Sequence, residues 1–190
     1  MNFFYLATDL LSYGENRIML PHRSPLSLLP IYLLALILLT LPAATGCSRN
    51  ADPVTSMPAF SLTSAQDGST IHSRDFAGQT LVVAFFATWC PPCRQEVPTL
   101  IALQEKYGNG DFTVLGISVD QGDARGVRNF MSELGINYPV VMSGPDTPRN
   151  FGDVFGIPTT FLIDRQGEII QRFDGYVDIR VLERELQAVL

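Results

Sequence analysis

The chain has 190 residues, 46% of them hydrophobic, and its 13 lysines and arginines against 19 aspartates and glutamates leave a net charge of −6. Lys106 is the single lysine and there is no basic stripe to hold phosphates, which argues against a nucleic-acid-binding protein. The length suits one domain once the N-terminus is set aside.

Ile31 to Leu41 is apolar apart from Thr40 and is bounded by Pro30 and Pro42. These 11 residues fall well short of the ~20 needed to span a bilayer as a helix. Arg23 precedes the run and Ala43-Ala44-Thr45-Gly46 follow it, the layout of an export signal over residues 1–46. Small residues ending in Gly46-Cys47 resemble a bacterial lipobox, which implies a lipidated Cys47 as the mature N-terminus, although Ala44 stands where that motif usually has Leu. An ordinary cleaved signal, or an uncleaved anchor from about Leu26 to Ala44, are the other readings. Residues 1–18 carry Asp9 and Glu15 and fit no signal; Met19, followed by His22 and Arg23, is the better translation start.

Residues 47–58 form a lipidated N-terminus and a polar, proline-containing tether, and the domain is expected over 59–190. Ala59 to Leu62 is a short strand, Gln66-Asp67-Gly68-Ser69 a turn and Thr70 to His72 its hairpin partner. Leu81 to Ala87 is apolar on both faces and belongs in the middle of a covered sheet. A helix follows from Pro91 to Tyr107, with Pro98 expected to bend it and Gly108-Asn109-Gly110 to end it. Phe112 to Val119 is a second buried strand, and Ala124 to Leu134 an amphipathic helix through Val127, Phe130, Met131 and Leu134. Tyr138 to Met142 is a strand and Arg149 to Phe155 a short helix. Thr159 to Ile163 and Glu168 to Phe173 flank the hairpin turn Asp164-Arg165-Gln166-Gly167, and Asp178 caps a last helix whose Ile179, Leu182, Leu186 and Val189 share a face. The alternation implies an α/β fold, a central mixed sheet with helices on both sides and an extra N-terminal β-hairpin.

Two of the three cysteines sit in Trp89-Cys90-Pro91-Pro92-Cys93, where a buried strand runs into a helix. This is the arrangement of a redox-active dithiol: unpaired N–H groups at the helix start favour a thiolate on the leading sulfur. Cys90 is therefore the better nucleophile, at a helix end that water can reach, and Cys93, one turn in, is expected to be buried. A structural staple is a poor alternative, because closing so short a loop constrains the unfolded chain little. A zinc half-site would need further ligands, and His72 is the only histidine after the signal, so no metal is expected.

The segments FFATWCPPCRQEVPTL and FGIPTTFLIDRQGEII, about 65 residues apart, resemble the active-site and proline-loop segments of the TlpA-like thioredoxin-fold proteins. These are membrane-tethered extracytoplasmic thiol–disulfide oxidoreductases that include the reductases of cytochrome c maturation. The resemblance covers roughly Pro58 to Leu190. It implies a thioredoxin fold, with Cys90 as attacking and Cys93 as resolving cysteine. It also implies a cis-proline at Pro158, opposite the dithiol, that exposes the backbone of Ile157 to an extended substrate segment. Trp89 and Pro91 belong to the same docking surface, core filling being the other reading of Trp89. Glu96, three residues after Cys93, matches an acidic residue of many relatives; it would accept the proton of Cys93 or raise the thiol pKa values by like-charge repulsion, unless it is merely a solvated first-turn residue. Where thioredoxin has a buried aspartate six positions before its first cysteine, this chain has Ala84.

The expected function is disulfide exchange on protein substrates by a monomer held to the membrane by its lipid, outside the cytoplasm. The dithiol itself is the redox group, with no added cofactor, and a membrane thiol-reducing electron donor is implied. Two rivals share the fold. A peroxiredoxin-like peroxidase would want Thr three residues before its cysteine, where Ala87 stands, and a copper-delivery protein would want a wider cysteine spacing and a histidine downstream, which is missing.

Overall fold

The computed structural model describes residues 54–190; the expected signal, Met19 start and Cys47 lie outside the described residues. Seven strands form one mixed sheet: β1 (Ser61–Ser64), β2 (Thr70–His72), β3 (Thr80–Phe86), β4 (Phe112–Ser118), β5 (Val140–Met142), β6 (Thr159–Ile163) and β7 (Ile169–Asp174), in the order β2-β1-β5-β4-β3-β6-β7. β3 pairs in parallel with β4, and β4 with β5; β6 runs antiparallel to β3, and β7 to β6. β3 is central because all of its residues are buried and apolar save Thr80, as a strand covered on both faces requires. The β1–β2 hairpin extends the sheet beyond β5.

The three longer helices, α1 (Pro91–Tyr107), α2 (Arg125–Leu134) and α4 (Ile179–Gln187), contribute to one core. It joins Val82, Ala84 and Phe86 to Val97, Leu100, Leu103, Phe130, Leu182 and Leu186. The opposite face is covered by less helix than expected: Phe76 from a 3-10 turn and Phe151, just after the short α3 (Thr147–Asn150), pack on Leu81, Val83, Phe85 and Phe161. α1 continues through Pro98, which is exposed and which offers no N–H to the Arg94 carbonyl one turn back. α2 stops at Gly135, which takes a left-handed φ of 67° and donates its N–H to Met131.

Some boundaries differ from expectation. β1 starts two residues later than Ala59, and β5 begins at Val140 rather than Tyr138. α3 is Thr147–Asn150 instead of 149–155, because Asp146 and Pro148 mark a helix start. Part of the expected tether belongs to the domain: Thr55 accepts from Ile169 N, and Met57 N donates to Gly167, so this strip lies along the start of β7. Among the described residues no helix is long and apolar enough to cross a membrane.

Candidate active site

β3 ends at Phe86, four residues carry the chain across, and α1 begins at Pro91. Cys90 is the N-cap of α1, and its Sγ accepts the Cys93 N–H at 3.3 Å. Pro91 and Pro92 suit the first turn, where an N–H would have no helical partner anyway. Cys90 and Cys93 form a disulfide with an S–S distance of 2.04 Å. Cys93 is buried as expected, but Cys90 is only 3% exposed in this oxidised state, so the water access expected of it is small. Trp89 is 70% exposed, which removes core filling as its role.

Pro158 stands where the sheet register puts it beside the dithiol loop. Thr159 pairs with Phe85, so the residue before it meets the end of β3. The Ile157–Pro158 bond is cis. The Pro158 carbonyl accepts from Gly175 N at 2.8 Å, whereas none of the loop backbone bonds among the described residues engages Ile157. A hollow of about 460 Å³ adjoins it, lined by Phe155, Gly156, Ile157, Pro158, Arg172 and Gly175 among others. An extended peptide could bond to the free edge of Ile157 and fill this hollow.

Glu96 is 2% exposed, so it is no solvated surface residue. Its carboxylate accepts from Thr160 Oγ1 at 3.2 Å, and the Val177 backbone N–H lies near enough to favour the charged form. Burial pushes its pKa up to about 7, against the opposing pull of these two donors. Burial, helped by the Glu96 charge, also holds the phenol of Tyr138 above its usual range. Thr160 is the cross-strand partner of Ala84. Glu96 from α1 thus brings a carboxylate to the sheet beside the small Ala84.

Three further residues stand at or beside the site with no sequence motif to mark them. Phe155, 91% exposed, and the half-exposed Tyr176 stand beside the proline loop, but a lone aromatic at a loop carries no sequence signal. Asp120, beyond β4, bonds to Thr88 in the dithiol loop. Its position just after a buried strand was the available clue. Among the described residues no group of three or more His, Cys, Asp or Glu side chains could hold a metal ion.

The model of the family described as Redoxin matches residues 53–190. A thiol-disulfide oxidoreductase ResA of Bacillus thuringiensis subsp. konkukian is 32% identical over 133 residues, 70% of this chain and 75% of that protein. That of Geobacillus kaustophilus is 31% identical over 132 residues, with the same shares. Among solved structures, a thiol:disulfide interchange protein of the thioredoxin family from Chlorobium tepidum TLS superposes with a TM-score of 0.65 at 36% identity, over 71% of this chain and 95% of that one. With a Cys-x-x-Cys disulfide at the start of α1 and a cis-proline beside it, the chain belongs to the Redoxin family, as a thiol–disulfide oxidoreductase of thioredoxin fold.

Proposed function

We propose that the protein is a lipid-anchored, extracytoplasmic reductase of protein disulfides, acting as a monomer through Cys90 and Cys93 and held to the membrane at Cys47. The observation that carries the chemistry is the placing of Cys90 Sγ on the N–H of Cys93 at the start of α1. A thiolate there is stabilised by a backbone donor and by the helix end.

In the reduced enzyme, Cys90 thiolate attacks one sulfur of a substrate disulfide. This forms a mixed disulfide and releases the first substrate thiolate. Cys93 loses its proton to the Glu96 carboxylate and attacks Cys90 Sγ, releasing the second substrate thiolate and closing the Cys90–Cys93 disulfide. Two electrons pass from the dithiol to the substrate. A carboxyl with a pKa near 7 is matched to this transfer at neutral pH. Ile157 and Pro158 hold the extended substrate segment, with Trp89 and Pro91 on the same surface. An oxidising compartment does not re-reduce the pair, so a membrane thiol-reducing donor completes the cycle. The relatives named above support the exchange activity; the Gly46-Cys47 sequence supports the anchor and location.

Equilibration of the couple with glutathione or dithiothreitol tests the direction. A potential well below that of the glutathione pool, with insulin reduction, is expected; a strongly oxidising potential overturns the reductase reading. Cys93→Ser should trap a mixed disulfide with substrate and Cys90→Ser should not. Mass spectrometry of the membrane-extracted protein should find diacylglycerol on an N-terminal Cys47, and an unmodified N-terminus elsewhere rejects the anchor.

A further inference from the structure

The loop that presents Cys90 is fixed by a residue just beyond the end of the neighbouring strand β4. Cys90 N–H donates to the Ala87 carbonyl at 3.2 Å, closing a turn with Thr88 and Trp89 at its centre. Thr88 is then fastened twice to one carboxylate. Its backbone N–H donates to Asp120 Oδ2 at 2.9 Å, and its hydroxyl to Asp120 Oδ1 at 2.7 Å. Asp120 is itself held: Ser118 Oγ donates to Oδ2 at 2.8 Å, and the Asp120 N–H donates to Ser118 Oγ at 3.2 Å. The strand end that carries it is tied on both sides, by Val119 N to Phe86 O at 2.9 Å and Ser143 N to Ser118 O at 2.8 Å.

From this geometry we infer that Asp120 is a positioning residue for the attacking thiol, clamping the Ala87–Cys90 turn so that Cys90 Sγ stays over the N-terminus of α1. The stabilisation of a Cys90 thiolate depends on place. The Cys93 N–H and the partial positive charge of the helix end act within about the first turn. Thr88 lies two residues ahead of Cys90, so a slack turn lets the sulfur drift from both. The clamp spans strands that other contacts already join, which makes its chief effect local to the loop.

Two rival roles predict different signs. An anion acting through its charge raises a neighbouring thiol pKa, so deleting Asp120 would lower the pKa of Cys90. A clamp does the reverse: deleting it takes Cys90 away from its donors and raises the pKa. A plain staple of the fold changes neither. Asp120→Asn and Asp120→Ala separate the three. The asparagine amide can turn so that its oxygen takes the Thr88 N–H and the Ser118 hydroxyl while its nitrogen donates to Thr88 Oγ. It keeps the clamp and loses the charge; alanine loses both. The ionisable groups on the elements packed about the dithiol are unchanged in every variant: Glu96 and Arg94 on α1, Glu133, which pairs with Arg94, Tyr138 ahead of β5, and Arg172 and Asp174 beside the Pro158 loop.

The test is the rate of iodoacetamide labelling of Cys90 against pH in the freshly reduced full-length protein, with the labelled cysteine identified by peptide mapping. At a pH well below the Cys90 pKa, Asp120→Ala should slow labelling by about tenfold, matching a rise of roughly one pKa unit. Asp120→Asn should stay within about twofold of the unaltered protein, since its amide restores the bonds. Thr88→Val removes the hydroxyl bond and keeps the N–H, so it should fall between them; it also carries the test if Asp120→Ala does not fold. A lowered Cys90 pKa in both Asp120 variants overturns positioning in favour of charge, and superimposable profiles in all variants overturn it in favour of a staple. If Cys93 is labelled first in the unaltered protein, the assignment of Cys90 as the attacking thiol has failed, and not the clamp.

Discussion

Along β3, Leu81, Val83 and Phe85 point to one face of the sheet while Val82, Ala84 and Phe86 point to the other. The first face is closed by aromatic packing. Phe85, Phe151 and Phe161 meet with ring centroids 5.2 to 6.0 Å apart, two of the three pairs edge to face. The second face holds both cysteines and Tyr138, with Glu96 reaching Thr160 beside Ala84. One strand thus separates a layer that serves packing from a layer that holds ionisable groups out of water. The alternation of β-structure makes this possible, since neighbouring residues face different surroundings. A substitution on the packing face should change stability without changing the chemistry, and one on the dithiol face should change how the protein responds to pH.

The largest effect on folding is expected from Phe161→Ala. Deleting this buried ring leaves a cavity between Phe85 and Phe151 and should cost about 3–5 kcal/mol in urea unfolding, with the pH profile of thiol labelling unmoved. A changed profile would mean that the two faces are coupled.

Glu96→Gln sharpens the comparison from the other side. The carboxyl is raised from 4.5 to about 7 in the folded protein, so between those values the unfolded chain is ionised while the native one still holds its proton. The native state then binds more protons, and stability falls as pH rises from about 4.5 to 7, by on the order of 3 kcal/mol in all. Measured on the oxidised protein, where the cysteines do not titrate, this slope should be present in the unaltered chain and flat in Glu96→Gln. In the reduced protein the variant should lower the thiol pKa values, as an anion no longer opposes ionisation, and slow insulin reduction near neutral pH. Equal slopes, titrations and rates would reduce Glu96 to a packed residue.

Gly116→Ala is a milder probe of the dithiol face. A methyl there would stand 3.1 Å from Phe86 Cε1 and 3.2 Å from Val140 Cγ2, so a loss of about 1–3 kcal/mol from overpacking is expected in thermal or urea melts. The smallest effect on folding belongs to Phe155→Ala. A ring 91% exposed should contribute within about 0.5 kcal/mol to stability. With a protein disulfide as substrate KM should nevertheless rise, by roughly tenfold if the ring is buried on docking, while kcat holds. An unchanged KM would remove Phe155 from the docking surface.

The parts of the fold set by strong local patterns were legible in the sequence. β3 and β4 are buried apolar runs, α1 starts on Pro91 after a cysteine cap, and α4 starts on Asp178, whose carboxylate accepts from Arg180 N. Where neighbours decide, reading residues one by one fell short. β1 is set by pairing with β2 and β5 and not by the hydrophobicity of Phe60. In the site, Cys90, Cys93 and Pro158 stand in recognisable segments. The burial of Glu96 depends on α1 lying over Ala84 and Thr160, which no local pattern records, and a carboxylate in the first turns of a helix looks the same whether wet or dry. The partner of Asp120 escapes local reading for a related reason: Thr88 is 32 residues away, and only the parallel pairing of β3 and β4 brings them together.

The strip of Thr55 to Met57 along the start of β7 has a bearing on solubility. The margin of a sheet is a template for other chains, because its outward N–H and C=O groups seek partners. Here the β2 margin is three residues long, and on the β7 side the incoming chain occupies the first positions while Arg172 and Asp174 place charge further along. Residues that look like slack leading into a domain thus act as insulation for its edge. A fragment cut just after Met57 would keep the dithiol and every strand, yet bare a ready seam for strand-to-strand association.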